Sequence, residues 1–365
     1  MEPYKDISGL KLSELFYKEI IKSLIDRFFP ELRYTAALIG PGSEVLGYDD
    51  IISRDHHWGP RLLLFLDEED YQRYTQELDL VFQENLPVEF LGYSTNWSEP
   101  DPEDNMTQML VPTSKGSINH RIEIHTVKSY LKQSLGITML NLTQKDWLML
   151  PEQKLLEFTS GKVFHDGLGD LTEARRILQY YPENIWKFKL MSLWKHIDQE
   201  IAFVGRTGIV GDDLGSRIEA SRLIRYIIMI SFVINKQYIP YAKWLGLEFK
   251  KLPISKHLEP LLQKILEEKE WKKREEYLCE TYLILLEKQN RLRITPPLGL
   301  NPQSYHKRPQ TVIDTHLIVN ELKKTISAPL NTIKYPIGTV NEFIDSTDIL
   351  TDPSFVKMII QSENL

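Results

Sequence analysis

The chain has 365 residues (42.8 kDa), 42% of them hydrophobic and 10% aromatic, enough for a sizeable core and for more than one domain. Its 44 Lys and Arg face 51 Asp and Glu, and the resulting net charge of -7 repels nucleic acid, which is therefore not an expected partner. A single cysteine, Cys279, excludes an intrachain disulfide scaffold and fits a reducing compartment.

In chain order, residues 1–30 alternate charged and apolar positions instead of opening on a basic start and an apolar run, so no signal peptide is expected. No window of about 18 uncharged apolar residues follows, so no membrane partner is expected and the cytoplasm is the expected location. Three sequons, at Asn96, Asn105 and Asn141, read as chance. Leu10 to Phe29 carries helical spacing ended by Pro30. Thr35 to Ile39 reads as a buried strand entering a Gly-Pro-Gly turn, and Arg61 to Leu66 as a second strand. Asp67 opens an acidic helix that closes before Pro87. Val88 to Leu91 is a third strand candidate, residues 94–116 a polar loop, and HRIEIHTV (His120 to Val127) a cleanly alternating strand.

After Leu140 the periodicity turns helical: Ile185 to Phe203, Leu214 to Lys236, His257 to Glu268 and Lys273 to Arg291 all carry it, and Pro182 is placed to open the first. The proline-rich remainder holds one helix near Val312 to Ile326. The expected division is a small α/β unit over 1–138, a helical bundle over 139–294, and an extension over 295–365 packing on both.

Three stretches carry chemistry. Gly40-Pro41-Gly42-Ser43 leaves a strand for a short helical turn and gathers backbone N–H groups suited to phosphate, with the Ser43 hydroxyl as an added donor. It is also an ordinary turn composition. Asp55 and His57 share a face if the segment is extended, and would hold a cation together; histidine suits Zn, Mn or Fe better than Mg²⁺. Arg61 offers a bidentate guanidinium to a phosphate. In HRIEIHTV, Arg121, Glu123 and His125 fall opposite Ile122 and Ile124, so that face is either solvated or lines a site.

A turn of the form apolar-Gly-x-Gly-Ser, eleven residues from Glu44 to Arg54, an Asp with a second metal-ligand position two further on, a hydrophobic strand and a later carboxylate-bearing strand resemble the nucleotidyltransferase superfamily of the polymerase-beta type. The string GSEVLGYDDIISRDHHWGPR resembles more particularly an uncharacterised domain-of-unknown-function family within it. The likeness continues through Asp146 to Leu171 and Gly211 to Gly246, and a helical domain after a minimal core is similar to the aminoglycoside nucleotidyltransferases.

The resemblance implies an α+β fold: a small mixed-sheet nucleotidyltransferase core followed by an all-α helical bundle. It implies that Gly42 and Ser43 bind a nucleoside triphosphate, that Asp55 is the first metal carboxylate, and that Glu123 is the third, with Mg²⁺ or Mn²⁺ as the ion. His57 stands where the superfamily has an acid. Either another metal is used, or Asp49, Asp50 or Asp67 substitutes, or catalysis is lost. The reaction implied is attack of an acceptor hydroxyl, on a small molecule or a protein, at the α-phosphorus, with pyrophosphate leaving. The alternative is a nucleotide-binding regulatory or antitoxin-like module without catalysis.

From the helical block, Arg217 beside a glycine-rich loop, with Arg222 and Arg225, is a candidate for triphosphate oxygens or an acceptor substrate, and Lys243 with Tyr238, Tyr241 and Trp244 for a nucleotide base and phosphate. Solvated arginines and bundle-end packing are the plainer alternatives. His165-Asp166 suggests a metal-dependent hydrolase and ranks last, because the further His and Asp ligands such a site needs are not arranged around it.

Overall fold

The computed structural model describes residues 7–54, 57–104, 106–114 and 116–361, with side chains to residue 358. The protein is α+β, and its contacts divide it into two units: Met1–Asn141 with Lys154–Gln179, and Leu142–Gln153 with Tyr180–Leu365. The expected boundary at 138/139 thus gives way to a chain that leaves the first unit, returns to it over 154–179, and leaves again. Residues 295–365 fall within the second unit.

In the first unit, β1 (Thr35–Leu38) and β2 (Leu62–Phe65) are buried at every position, as suits their apolar side chains and a Thr35 hydroxyl that donates to Asp166 Oδ1. A hairpin of two-residue strands, β3 (Glu89–Phe90) and β4 (Tyr93–Ser94), stands apart from the main sheet, so the strand expected at Val88 to Leu91 forms but pairs only with its own hairpin partner. β5 (Ile122–His125) and β6 (Lys162–Asp166) complete a four-stranded mixed sheet of order β5-β2-β1-β6. β1 runs antiparallel to β2 and β6, and β2 runs parallel to β5 with Leu63 opposite Glu123. One face packs Leu62, Leu64 and Ile122 against Leu12, Phe16 and Ile21 of the N-terminal helical segment and Leu78 and Phe82 of the helix Glu68–Asn85.

That topology has a geometric consequence. Antiparallel then parallel pairing brings the C-terminal end of β1 and the N-terminal ends of β2 and β5 to one end of the sheet. The chain segments there are the glycine turn, Arg61 and Arg121 to Glu123.

The second unit is helical. Glu183–Glu200, Asp213–Ile234, Ser255–Glu267 and Trp271–Arg291 match the periodic segments closely. Buried indoles tie them: Trp186 Nε1 donates to the Val233 carbonyl at 2.7 Å, and Trp194 Nε1 to Gln289 Oε1 at 2.7 Å. The helix Thr315–Lys324 lies against Glu183–Glu200, and a short ladder, β7 (Gln303–Ser304) with β8 (Thr311–Val312), meets Trp271–Arg291 through β8. Cys279 is 2% exposed there, and burial, with Glu275 and Glu276 nearby, pushes its thiol up to about 12. Among the described residues no helix is long and apolar enough to cross a membrane.

A fully buried ammonium fastens the proline-rich tail. Lys189 Nζ lies 2.6 Å from Glu152 Oε1, contacts Glu342, and donates to Thr339 Oγ1 at 3.1 Å, with all three charged side chains at 0% exposure. Burial opposes the charge on Lys189, but the two carboxylates outweigh it and hold its pKa above the ordinary lysine value. Lys189→Met would leave two carboxylates in the core with no cation, at a loss of about 3–5 kcal/mol. Urea denaturation reads this directly, and a midpoint equal to the parent's would show the triad to be dispensable.

Glu275 makes a second buried charge problem. It is 1% exposed and accepts from the Thr311 N–H at 3.0 Å, and burial pushes its carboxyl from 4.5 up to about 7. Between those values the folded chain holds a proton that the unfolded chain has released, so this group's contribution to stability falls as pH rises through the window. Glu275→Gln is therefore expected to gain stability relative to the parent as pH goes from about 5 to about 8. Parallel melting curves for the two proteins across that range would contradict it.

Candidate functional site

The site is built at the sheet end just described. β1 ends, and Gly40 turns at φ 93° with its N–H donating to the Glu157 carbonyl at 2.9 Å. A Cβ at Gly40 would stand 2.3 Å from the Tyr130 hydroxyl, so a larger residue there would displace the ring. Gly42, at φ 140°, is closer still to charge: its Cβ would meet Arg61 Nη2 at 2.5 Å and Glu44 Oε2 at 2.6 Å. Ser43–Leu46 is one helical turn closed by Gly47 in the left-handed region. First-turn N–H groups have no intrahelical acceptor, so those of Ser43 and Glu44 remain for another. The Ser43 hydroxyl donates to the Ser53 carbonyl at 2.8 Å, and so closes the loop instead of presenting its proton to a ligand.

Arg61 is committed to this turn. Its Nε and Nη2 donate to Glu44 Oε1 at 2.8 and 2.5 Å, and Nη2 donates to the Pro41 carbonyl at 2.8 Å. The side chains of Arg61 and Glu44 are 5% and 2% exposed. An ion pair that dry persists only when its remaining hydrogen-bonding groups are also met, and the Pro41 carbonyl meets one of them. Arg61 thus shapes the glycine turn and does not stand open to a phosphate.

On β5 the polar trio expected from the alternation pairs within itself. Glu123 lies 3.8 Å from Arg121 Nε and 3.4 Å from His125 Nε2, with its side chain 40% exposed. Burial pulls Glu123 toward neutrality, but the His125 hydrogen bond and the Arg61 and Arg121 charges outweigh it and hold the carboxyl below its usual value. Burial, and then the like charge of Arg61, depress the Arg121 guanidinium to about 10. Tyr130 is raised by burial and by Glu123. These reciprocal effects place Arg61, Arg121, Glu123 and Tyr130 in one electrostatic neighbourhood.

Asp55 lies outside the described residues. His57 sits in the left-handed region at φ 54°, a conformation that costs a non-glycine residue about 1–2 kcal/mol. Its N–H donates to the Gln108 carbonyl at 2.9 Å, and its Nδ1 lies 2.5 Å from Arg121 Nη1. A guanidinium has no lone pair, so Nδ1 is the acceptor and the neutral ring carries its proton on Nε2. Neither nitrogen then has a lone pair for a metal. The three acids considered as substitutes are also engaged: Asp49 Oδ2 accepts from Gly9 N–H and Trp58 Nε1 at 2.6 and 3.1 Å, Asp50 Oδ1 from Ser53 N–H at 2.8 Å, and Asp67 Oδ1 caps Asp70 at 2.8 Å. Among the described residues no group of three or more His, Cys, Asp or Glu side chains is placed to hold a metal ion. Of the Mg²⁺ or Mn²⁺ set that the resemblance implies, the described residues supply one carboxylate, Glu123.

In the second unit, Arg217 donates to Asp213 Oδ2 and to the Leu266 carbonyl, both at 2.8 Å. Arg222 pairs with Glu200 at 2.8 Å and Arg225 with Asp345 at 3.0 Å. Lys243 Nζ rests 4.9 Å from the Trp244 ring centroid, and Tyr238 packs against Tyr180 and Tyr181 with ring centroids 5.2 Å apart. Asp166, the residue behind the hydrolase idea, accepts from Thr35 Oγ1, Thr172 Oγ1 and the Gly169 N–H. Tyr130 and Glu44, the partner of Arg61, escaped the sequence reading, although a glutamate directly after the Gly-Ser pair was a visible sign.

These features define an α+β protein with a glycine turn flanked by a buried ion pair and one half-exposed carboxylate. A family model described as a domain of unknown function (DUF4037) matches residues 147–245, which leaves the sheet-end cluster outside the match. The solved structure of a nucleotidyltransferase-like protein from Exiguobacterium sibiricum is similar over 80% of this chain and 83% of its own, at 10% identity and a TM-score of 0.33, a level that carries no argument about chemistry. No curated protein matches.

Arg61→Met would strand a 2%-exposed carboxylate at Glu44 and is expected to cost about 3–5 kcal/mol. Replacing both, as Arg61→Met with Glu44→Leu, should restore most of that loss, since an apolar pair of similar volume avoids the desolvation penalty. A double-mutant cycle by chemical denaturation measures the coupling, and additive losses would mean the two charges do not depend on each other.

Proposed function

We propose that the sheet-end cluster of the first unit binds a nucleoside triphosphate, its phosphates against the Gly40–Ser43 turn, and that the protein moves a nucleoside monophosphate to a hydroxyl of a small-molecule or protein acceptor. The observation that carries this is the convergence, through sheet topology alone, of the turn, the Arg61–Glu44 pair, Arg121 and Glu123. Backbone N–H groups and a guanidinium oppose the phosphate charge. Glu123, held ionised by His125 and Arg121, is the group able to accept the proton of an attacking hydroxyl as the bond to the α-phosphorus forms and pyrophosphate departs.

A second activity class rests on the same binding: a regulatory nucleotide-binding module that does not turn over. The contact between His57 Nδ1 and Arg121 favours it, because the position at which the resemblance expects an acid holds a neutral ring with no lone pair to give. Calorimetric titration with ATP, GTP, CTP and UTP tests the binding, and pyrophosphate release over a panel of hydroxyl acceptors separates the two classes. If transfer occurs, Glu123→Gln should slow pyrophosphate release by about 10²-fold or more with nucleotide affinity little changed, the span expected for loss of a general base. Binding of none of the four nucleotides would end both readings.

A further inference from the structure

We infer that the Arg121 guanidinium is the cation that meets the nucleotide's phosphate at this site, in the place a metal ion would take, so that binding needs no divalent metal. This rests on the proposed nucleotide site and specifies its chemistry. Two guanidiniums lie at the sheet end, and they differ in how their donors are used. Arg61 uses Nε and Nη2 on Glu44 and Pro41. Arg121 is different: its side chain is 13% exposed, one hydrogen bond joins its Nη1 to His57, and its Nε is buried with no hydrogen-bond partner among the described residues. Glu123 stands 3.8 Å from that Nε, beyond hydrogen-bond reach. A guanidinium offers five N–H groups, and a nearly buried one with a single hydrogen bond calls for an acceptor of opposite charge.

The surroundings hold the fork ready. The Arg121 guanidinium lies over the Trp97 ring at 5.1 Å from its centroid, and His57 Nδ1 anchors one terminal nitrogen. The other terminal nitrogen is left for a phosphate oxygen, and a planar fork matches phosphate geometry better than a point charge. His57 makes this arrangement possible. An acid at position 57 would neutralise Arg121 or recruit a metal, whereas a neutral imidazole accepts one N–H and leaves the positive charge for the ligand.

Calorimetric titration of the full chain with ATP, once in EDTA and once in excess MgCl₂, tests the inference. The parent protein should bind with dissociation constants within about threefold of each other in the two buffers. Arg121→Gln should weaken binding by about tenfold or more in EDTA, the range for removing hydrogen bonds to a charged group. Arg121→Lys, which keeps the charge and loses the fork, should fall between them, and the thermal midpoint of each variant shows whether it is folded. ATP binding that requires Mg²⁺ would overturn the inference and leave the nucleotide site standing, as would a folded Arg121→Gln that binds normally. No ATP binding in either buffer would remove the site itself, and this inference with it.

Discussion

A buried ion pair under a glycine turn sets the shape of the first unit's sheet end. Moving Arg61 and Glu44 out of water costs several kcal/mol per ion, and their attraction offsets that only if geometry is close and the leftover donors are met. Two N–H groups on one carboxylate oxygen supply the close geometry, and a third bond, to Pro41, meets one of the leftover donors. The pair then crowds out a side chain at position 42, where φ is also positive, so the position favours glycine. With the backbone held there, the first-turn amides of Ser43 and Glu44 come to the same end as Glu123.

Local patterns in the sequence were enough for several of these elements. A two-residue alternation is a property of neighbours, so HRIEIHTV placed Arg121, Glu123 and His125 on one face correctly. The long 3.6-residue periodicities of the second unit marked its helices to within a few residues. The other misses share a cause, which is that they depend on partners distant in sequence. β6 lies at the sheet edge with a half-exposed pattern, and it is recruited by pairing with β1 about 130 residues earlier. Arg61 read as a free cation because Glu44 is 17 residues away and separated by a loop. His57 read as a cation ligand because nothing nearby announces Arg121, 64 positions on.

The second unit solves a different problem with similar means. A segment rich in proline cannot add long helices, so it is held by side chains. Lys189 gathers Glu152 and Glu342 around a single ammonium, and Asn341 accepts from the Glu152 N–H at 3.0 Å. Specific polar contacts of this kind fix one arrangement where apolar packing alone would accept several.

Cys279 brings a practical advantage. The chain's one thiol is enclosed by helix and ladder, and burial disfavours the reactive thiolate. A maleimide dye or spin label therefore finds no natural reactive group to compete with. One cysteine introduced at an exposed position such as Met139 or Val210 would carry the probe alone, and a pair of them would report distances from an otherwise silent background.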